Sequence, residues 1–264
     1  MENTSKMLSS EQICAHLDKN AAEKYSFLLL DCVDSTNTLA KKLAKDGVNM
    51  PLVIIADRQS AGRGRLGRSF YSPTCEGLYM SVLFDPKNEA LDLGMLTQFA
   101  AVAAAKAVEE LCGKKVFIKW VNDILIGGKK ICGILCESGI DESGAAFAVV
   151  GIGVNISEKE FPKDICEIAG SIYSCTGIMA DRAALAARII ENLDRYTPSF
   201  MDDYRSRSAV VGKRVRVINH ENEYLATALG INDDGSLCVV DDSGSKHDLC
   251  FGEISLRIDK DFSM

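Results

Sequence analysis

The chain has 264 residues, a formal net charge of −7 at pH 7, and 47% hydrophobic residues, a composition typical of a soluble globular protein. This length fits one large domain, with or without a small appendage. The acidic balance argues against a DNA-binding or membrane-surface protein, and no run reaches the roughly 18 apolar residues of a membrane span. Because the first twelve residues also lack the apolar core of a secretory signal, we expect a cytoplasmic protein with no membrane or nucleic-acid partner.

Short apolar runs bounded by turn residues predict alternating helices and strands in the first half of the chain. Ser35 has the position of an N-cap, and the helix after it would end at Gly47. An alanine-rich pattern that stops at Gly113 predicts the longest helix. The predicted elements are a helix over 8–20, a strand over 25–32, the helix after Ser35, strands over 51–56 and 77–85, and a helix over 93–112.

The second half of the chain changes character near Ser208. Before that point the patterns predict strands over 116–120, 123–138 and 145–157 and a helix over 182–205. The segment 123–138 reads as two strands joined at Gly127-Gly128, a common hairpin signal. From Val211 onward there are only short strand-like runs separated by turns, which indicates a small β-barrel.

The loop "ADRQSAGRGRLGR" (56–68) carries four arginines and three glycines in an otherwise acidic chain. Glycines allow the backbone to approach a ligand closely, and guanidinium groups bind carboxylate and phosphate oxygens through paired hydrogen bonds. The run GRGRLG matches a dinucleotide-binding pattern, but a Pro- and Gly-containing loop follows where that motif needs a helix. A small anion is therefore the expected ligand, and a solvated basic loop is the alternative.

Four other motifs are weak when each is taken alone. DSTN (34–37) is typical of a helix cap, and GIGVN (151–155) is typical of a turn after a strand. GGKKICGIL (127–135) reads as an exposed hairpin. KWVND (119–123) brings together a cation, an indole, an amide and a carboxylate, and its Asp123 suits a magnesium ion that also binds substrate phosphates.

Cysteines give a separate hypothesis. The chain contains ten, scattered along its length, and several lie in apolar runs. In a cytosolic protein such residues are usually small buried hydrophobic side chains. Cys132 and Cys136 are four residues apart, but no second pair follows them and no histidine is near, so a zinc-binding protein is the weaker alternative.

The order and spacing of the motifs are more specific than any single motif. DSTN, DRQ..GRGR.GR, GLY.S, KW.ND, K..GIL.E and G.GVN, spread over residues 31–157, together resemble the biotin protein ligases, also called biotin–[acetyl-CoA-carboxylase] ligases. The resemblance implies an α+β fold, with a mixed or antiparallel sheet flanked by helices in a class II synthetase-like catalytic domain (1–208). A small SH3-like β-barrel (209–264) would follow. The form without an N-terminal DNA-binding domain fits the chain best.

The resemblance also implies an activity. Biotin and ATP, with Mg²⁺, would give biotinyl-5′-AMP, and a lysine of a biotin carboxyl carrier protein or domain would then take the biotinyl group. No nucleophile on the enzyme is needed, so the chain must align two anions and offset their repulsion. A lipoate or octanoate ligase and a non-catalytic biotin-sensing protein stay open as alternatives, and a homodimer is open beside a monomer.

Side-chain roles follow from the same resemblance. The residues expected around biotin are Ser35, Thr36, Gln59, Gly62, Arg63, Trp120, Lys130 and Gly133. Those expected around the nucleotide are Arg65, Arg68, Phe70, Asn122, Gly151, Gly153 and Asn155. The expected catalytic residues are Arg63, Arg65, Lys130 and Asp123, and Asp123 is also the expected Mg²⁺ ligand.

Two positions depart from the family pattern. Val121 stands where the family usually has proline, which changes the backbone constraint but removes no functional group. Phe70 stands where the family often has tryptophan packed over the adenine, and it offers a smaller ring for stacking.

Overall fold

Seven strands from the first 155 residues form one sheet, in the order β1-β2-β3-β7-β6-β5-β4. The computed structural model describes residues 7–86, 92–144, 146–195, 197, 199–218, 223–250 and 255–258. Strands β1 and β2 pair in parallel and all other neighbours are antiparallel. The strands are β1 (Ser26–Val33), β2 (Leu52–Gln59), β3 (Gly77–Phe84), β4 (Phe117–Lys119), β5 (Asp123–Ile126), β6 (Lys129–Ile140) and β7 (Ala146–Asn155).

Helices flank this sheet. They are α1 (Ser10–Cys14), α2 (Lys19–Lys24), α3 (Thr36–Lys45), α4 (Leu96–Cys112), α5 (Ile172–Thr176), α6 (Arg182–Asp194) and α7 (Phe200–Ser206). Ser35 caps α3, with its hydroxyl accepting from Thr38 N–H, as the sequence predicts. Helix α4 is the longest described, and Gly113 ends it in the left-handed conformation (φ 61°).

Two predicted helices are wrong in their extent. The helix predicted over 8–20 is two short helices, because Asp18 caps a new helix by accepting from Ala21 N–H. The helix predicted over 182–205 ends at Asp194, and α7 begins at Phe200. The sequence has proline at position 198, which cannot continue a helix. Helix α5 is not predicted by the periodicity.

The two faces of the sheet are covered differently. Helix α4 packs on one face against a large apolar cluster that includes Val53, Ile55 and Met80. Helix α3 packs on the other face over a smaller cluster that includes Ile54 and Leu83. Because α3 covers only part of its face, the carboxyl-terminal half of β7 and its neighbours stay open beside it.

The C-terminal region forms a separate antiparallel sheet in the order β11-β10-β9-β8-β12. Its strands are β8 (Arg214–Ile218), β9 (Glu223–Ile231), β10 (Leu237–Asp241), β11 (Lys246–Leu249) and β12 (Ser255–Ile258). The predicted mixed sheet with flanking helices and the small C-terminal β domain are therefore confirmed. Parts of the strands predicted at 246–251 and 254–258 lie outside the described residues, and the boundary between 208 and 209 stays a prediction.

Between the two sheets the chain pairs with the edge of the first. Ile118 N–H donates to Arg207 O (2.7 Å), and Ala209 N–H donates to Ile118 O (2.8 Å). The apolar side of the C-terminal sheet, including Val215, Ala226 and Val239, belongs to the same cluster as helix α4. No helix among the described residues is long and apolar enough to cross a membrane.

Candidate functional site

A cleft of about 850 Å³ opens on the sheet face beside α3. That volume lies in the range of sites for cofactors and drug-sized ligands. The sequence-predicted residues that line it are Ser35, Thr36, Gln59, Arg63, Arg65, Arg68, Phe70, Trp120, Asn122, Asp123, Lys130, Gly133, Gly151, Gly153 and Asn155. The structure therefore brings together motifs that lie more than 100 residues apart in the chain.

Gly62 is the predicted site residue that the cleft lining does not include. A Cβ at this position would lie 2.4 Å from Ser72 Oγ and 2.5 Å from Phe70 O, so the glycine lets the arginine loop fold back on itself. Phe70 N–H donates to Gly62 O (2.9 Å), and Gly64 N–H donates to Arg68 O (2.8 Å). These bonds close a turn whose apex, Leu66, is exposed and has a φ of 56°.

The deep end of the cleft is a buried polar network. Ser35, Thr36, Asn37 and Ser81 are each less than 5% exposed. Thr36 N–H donates to Gln59 Oε1 (2.9 Å), and Ser81 Oγ lies 2.7 Å from Thr36 Oγ1 and 2.6 Å from Asn37 Oδ1. Buried polar groups of this kind are stable only when they are paired, so the network holds the hydroxyl and amide groups in fixed orientations.

Glu137 joins this network to the arginine loop. Its carboxylate accepts from Asn37 Nδ2 (2.9 Å) and Lys41 Nζ (2.6 Å), and Arg63 Nη1 lies 3.3 Å away. Burial acts to raise the pKa of Glu137, but the hydrogen bonds from Lys41 and Asn37 and the nearby cations outweigh it, and the pKa is lowered. The carboxylate thus carries a negative charge between the deep end and the loop.

The mouth of the cleft is built from charged groups on β5, β6 and the arginine loop. Lys130 Nζ lies 2.6 Å from Asp123 Oδ1, and Arg65 Nη1 donates to Asn122 Oδ1 (3.3 Å). Asn122 is itself fixed by its Nδ2 donating to Ile134 O (2.8 Å). Burial lowers the pKa of the Arg65 guanidinium, and the Asp123 charge acts in the opposite direction. A guanidinium stays protonated at neutral pH, so this end of the cleft favours an anion.

Glycines form the floor between the two ends, and they differ in what they make room for. A Cβ at Gly151 would lie 2.1 Å from Asn37 Oδ1, so Gly151 lies beside the deep polar end. A Cβ at Gly153 would lie 2.5 Å from the Phe70 ring, and one at Gly133 would lie 3.2 Å from it. The Phe70 ring therefore rests on the sheet backbone, edge-on to Tyr79 (6.3 Å between centroids).

The rest of the wall comes from β3, β7 and the segment before α5. Tyr79 donates its hydroxyl to Glu158 Oε1 (3.1 Å), and burial raises the pKa of both groups. Asn155 Nδ2 donates to Gly170 O (2.9 Å), which ties the end of β7 to this segment. Phe161, Ile165 and Ile168 add apolar surface at the rim.

Asp123 is the one carboxylate among the described residues that line this cleft. Among the described residues no group of three or more His, Cys, Asp or Glu side chains is placed to hold a metal. Asp123 suits a magnesium ion that takes most of its ligands from phosphates and water, because Mg²⁺ commonly binds one or two carboxylates only. Cys132 is buried in the sheet, and burial raises the pKa of its thiol.

Sequence reasoning missed four residues that complete the site: Asn37, Lys41, Ser81 and Glu137. Three of them stand inside quoted motifs, as the last letters of DSTN, GLY.S and K..GIL.E. Asn37 and Ser81 hydrogen-bond to each other within the deep network. The Glu137 carboxylate accepts from Asn37 and pairs with Lys41 and Arg63. A polar residue on an otherwise apolar strand is the signal that would have found Ser81.

The fold is an α+β domain, and its cleft joins a buried polar end to a cationic mouth. The model of the biotin/lipoate A/B protein ligase family matches residues 29–155, and that of the biotin protein ligase C-terminal domain matches residues 210–257. The bifunctional ligase/repressor BirA of Bacillus subtilis is 32% identical over 226 residues, which cover 82% of this chain and 70% of the relative. The biotin–[acetyl-CoA-carboxylase] ligase of Mycobacterium tuberculosis is 30% identical over 220 residues, covering 78% and 79%.

Solved structures agree with these relatives. The biotin protein ligase of Aquifex aeolicus in complex with biotin and ATP superposes with a TM-score of 0.76 at 28% identity, covering 89% of this chain and 99% of that one. The chain belongs to the biotin protein ligase family.

Proposed function

We propose that this chain activates biotin with ATP to biotinyl-5′-AMP and transfers the biotinyl group to a lysine of a biotin carboxyl carrier protein or domain. One observation carries the proposal: a buried, fully paired polar network and a cationic mouth share a single cleft on a glycine floor. A ureido ring needs donors and acceptors, and a carboxylate meeting a phosphate needs positive charge.

At the deep end, the ureido ring of biotin would bind Ser35, Thr36 and Gln59. The Thr36 and Gln59 groups are mutually hydrogen-bonded, so the ligand would meet donors and acceptors that are already oriented. Such preorganisation reduces the cost of binding. Asn37 and Ser81 would act behind them, by fixing Thr36.

At the mouth, the biotin carboxylate would lie beside Lys130, with the α-phosphate between Lys130 and Arg65. A carboxylate oxygen attacks the α-phosphorus, the bond to the β-phosphate oxygen breaks, and pyrophosphate leaves. Arg63 and Arg68 would approach the same anions from the loop, and Phe70, Asn122, Gly153 and Asn155 would border the nucleotide. Asp123 would hold Mg²⁺, which supplies positive charge at the phosphates when bound.

The second step transfers the acyl group. The carrier lysine amine attacks the carbonyl carbon of the mixed anhydride, AMP leaves, and the amine loses a proton as the amide forms. Asp123 is the carboxylate in reach of the mouth and would orient that amine. Lys130 lies 2.6 Å from Asp123, so one ion pair would serve both steps.

Mass measurement of a carrier domain after incubation with the chain, biotin and Mg-ATP tests the proposal. We expect the carrier mass to rise by one biotinyl group, and lipoate or octanoate in place of biotin to give no increase. Modification by lipoate or octanoate in preference would favour the related ligase activity. Biotin binding with no carrier modification would favour a sensing protein. A homodimer stays a prediction that the mass in solution would test.

A further inference from the structure

The turn that presents Asn122 and Asp123 to the cleft is held from behind by residues outside the catalytic sheet. On its inner side, Asn122 meets Arg65 and Asp123 meets Lys130. Trp120, which also lines the cleft, is only 4% exposed, and its indole Nε1–H donates to Gly235 O (3.0 Å). Gly235 lies in the β9–β10 turn of the C-terminal sheet and does not line the cleft.

Two further contacts fix the same turn. Tyr204, buried at the C-terminal half of α7, donates its hydroxyl to Val121 O (2.9 Å). Arg205, next in the chain, donates from Nε to Ile231 O (2.9 Å) and pairs with Asp233, at the start of the β9–β10 turn. The turn at 119–123 and the β9–β10 turn are thus tied to each other directly and through α7.

Gln98 shows how closely the β9–β10 turn is seated. Its side chain on α4 is completely buried, and neither polar atom of its amide has a hydrogen-bond partner among the described residues. A Cβ at Gly235 would lie 2.3 Å from Gln98 Nε2, and Gly235 has a φ of 79°. Only glycine satisfies both the left-handed backbone and this approach, so the carbonyl that Trp120 binds is fixed in place.

We propose that the β9–β10 turn of the C-terminal domain is a positioning element for adenylate formation, acting through Gly235 and Trp120 on Asn122 and Asp123. This inference rests on the proposed function. It predicts that a shift of Gly235 O misplaces the groups that hold Arg65 and Lys130 while the deep polar end stays intact. The rate of adenylation would then fall more than biotin affinity, because the ureido end of the biotin site is untouched and only the carboxylate end beside Lys130 is affected.

The experiment compares two glycine substitutions in the same domain. G235A adds a methyl group against Gln98, whereas G244A adds one in the β10–β11 turn, where φ is also positive (86°) and no atom lies within 4 Å. We expect G235A to lower biotin-dependent pyrophosphate exchange at saturating biotin and ATP by about tenfold or more, since small misplacements of reacting groups have effects of this size. G244A should stay within about twofold of the parent chain in exchange rate and in biotin affinity, and G235A should lose less biotin affinity by calorimetry than exchange rate.

Recovery of the lost exchange rate by a second substitution is an independent test. Q98A in the G235A background removes the clash and should recover most of the lost rate. If G235A fails to fold by circular dichroism, R205A replaces it, because it removes the contacts that tie α7 to Ile231 O and Asp233 at the β9–β10 turn. Equal rates for G235A and G244A, or a parallel loss of biotin affinity, would overturn the inference. A parent chain without biotin-dependent exchange would instead refute the proposed function.

Discussion

The two ends of the cleft are built from different kinds of side chain and have different roles. The deep end uses short side chains on α3 and β3, all buried and each paired with a neighbour. The mouth uses long cationic side chains, and Arg63 and Arg68 are exposed. Shape and hydrogen bonding come from the start of α3 and from β3, whereas positive charge comes from the arginine loop and from Lys130 at the start of β6. Selectivity and reactivity are therefore separable by substitution.

The largest effect is expected at the mouth, from Lys130→Ala. Removal of the ammonium group leaves the carboxylate and α-phosphate without their shared cation and frees Asp123 from its partner at 2.6 Å. We expect pyrophosphate exchange to fall by about 10²–10³-fold, the scale seen when one transition-state charge contact is lost. Lys42→Ala, on the exposed side of α3, is the matched control. Near-normal exchange in the Lys130 variant would rule out its assigned position.

Arg65→Ala tests whether the loop retains the intermediate. The guanidinium is half-buried against Asn122 and would contact the adenylate phosphate. Loss of a charge-assisted contact costs roughly 2–3 kcal/mol, or about 30- to 150-fold in affinity. We expect the variant to fold normally and to release biotinyl-AMP during gel filtration. Arg68→Ala, farther out on the loop, should release less, and equal retention by Arg65→Ala and the parent chain would contradict this role.

Much of this cleft was predictable from the sequence because the order and spacing of its motifs resemble those of one family. The arginine loop, KWVND and the two glycine-containing motifs all meet there. The parts that were not predicted depend on partners far along the chain. Ser81 and Asn37 are 44 residues apart, and Asn37 and Glu137 are 100 apart. No local pattern records such pairings, because they arise only when α3 is placed on the sheet.

The predicted boundaries of two helices are wrong for a related reason. Apolar spacing continues across residues 8–20 and 182–205, but local cap chemistry decides where a helix starts or stops. The Asp18 carboxylate accepts from Ala21 N–H and begins a new helix there. The motif that contains Gly151 does not by itself show which side chain the glycine approaches, and in the structure this is Asn37. Apolar periodicity predicts which face of a helix or strand is buried, but tertiary packing decides which residues that face contacts.

Gly151→Ala tests the deep end in isolation. The added methyl group would lie 2.1 Å from Asn37 Oδ1 and must displace that side chain. Overpacking of this kind costs about 1–3 kcal/mol, so biotin affinity by calorimetry should fall by about fivefold to 150-fold. Gly230→Ala, on β9 with no atom within 4 Å of its Cβ position, is the matched control. An unchanged biotin affinity would show that the network around Asn37 does not orient the ligand.

The smallest effect concerns Glu137, which joins the two ends. Glu137→Gln keeps the size of the side chain and the contact with Asn37, but it removes the negative charge that pairs with Lys41 and Arg63. We expect biotin affinity to fall only a few-fold, since one of the two cations paired with Glu137 is on the exposed loop.

The difference in stability between the parent chain and the Glu137→Gln variant should depend on pH. Because the folded-state pKa of Glu137 is lowered from its ordinary value of 4.5, its charge stabilises the fold above that pH, and this contribution is lost as pH falls through the lowered value. Urea unfolding at pH 7 and at pH 3 should therefore show a larger difference between the parent chain and the variant at pH 7; a difference that grows on acidification would mean that the carboxyl is not held as the charged form by Lys41 and Asn37.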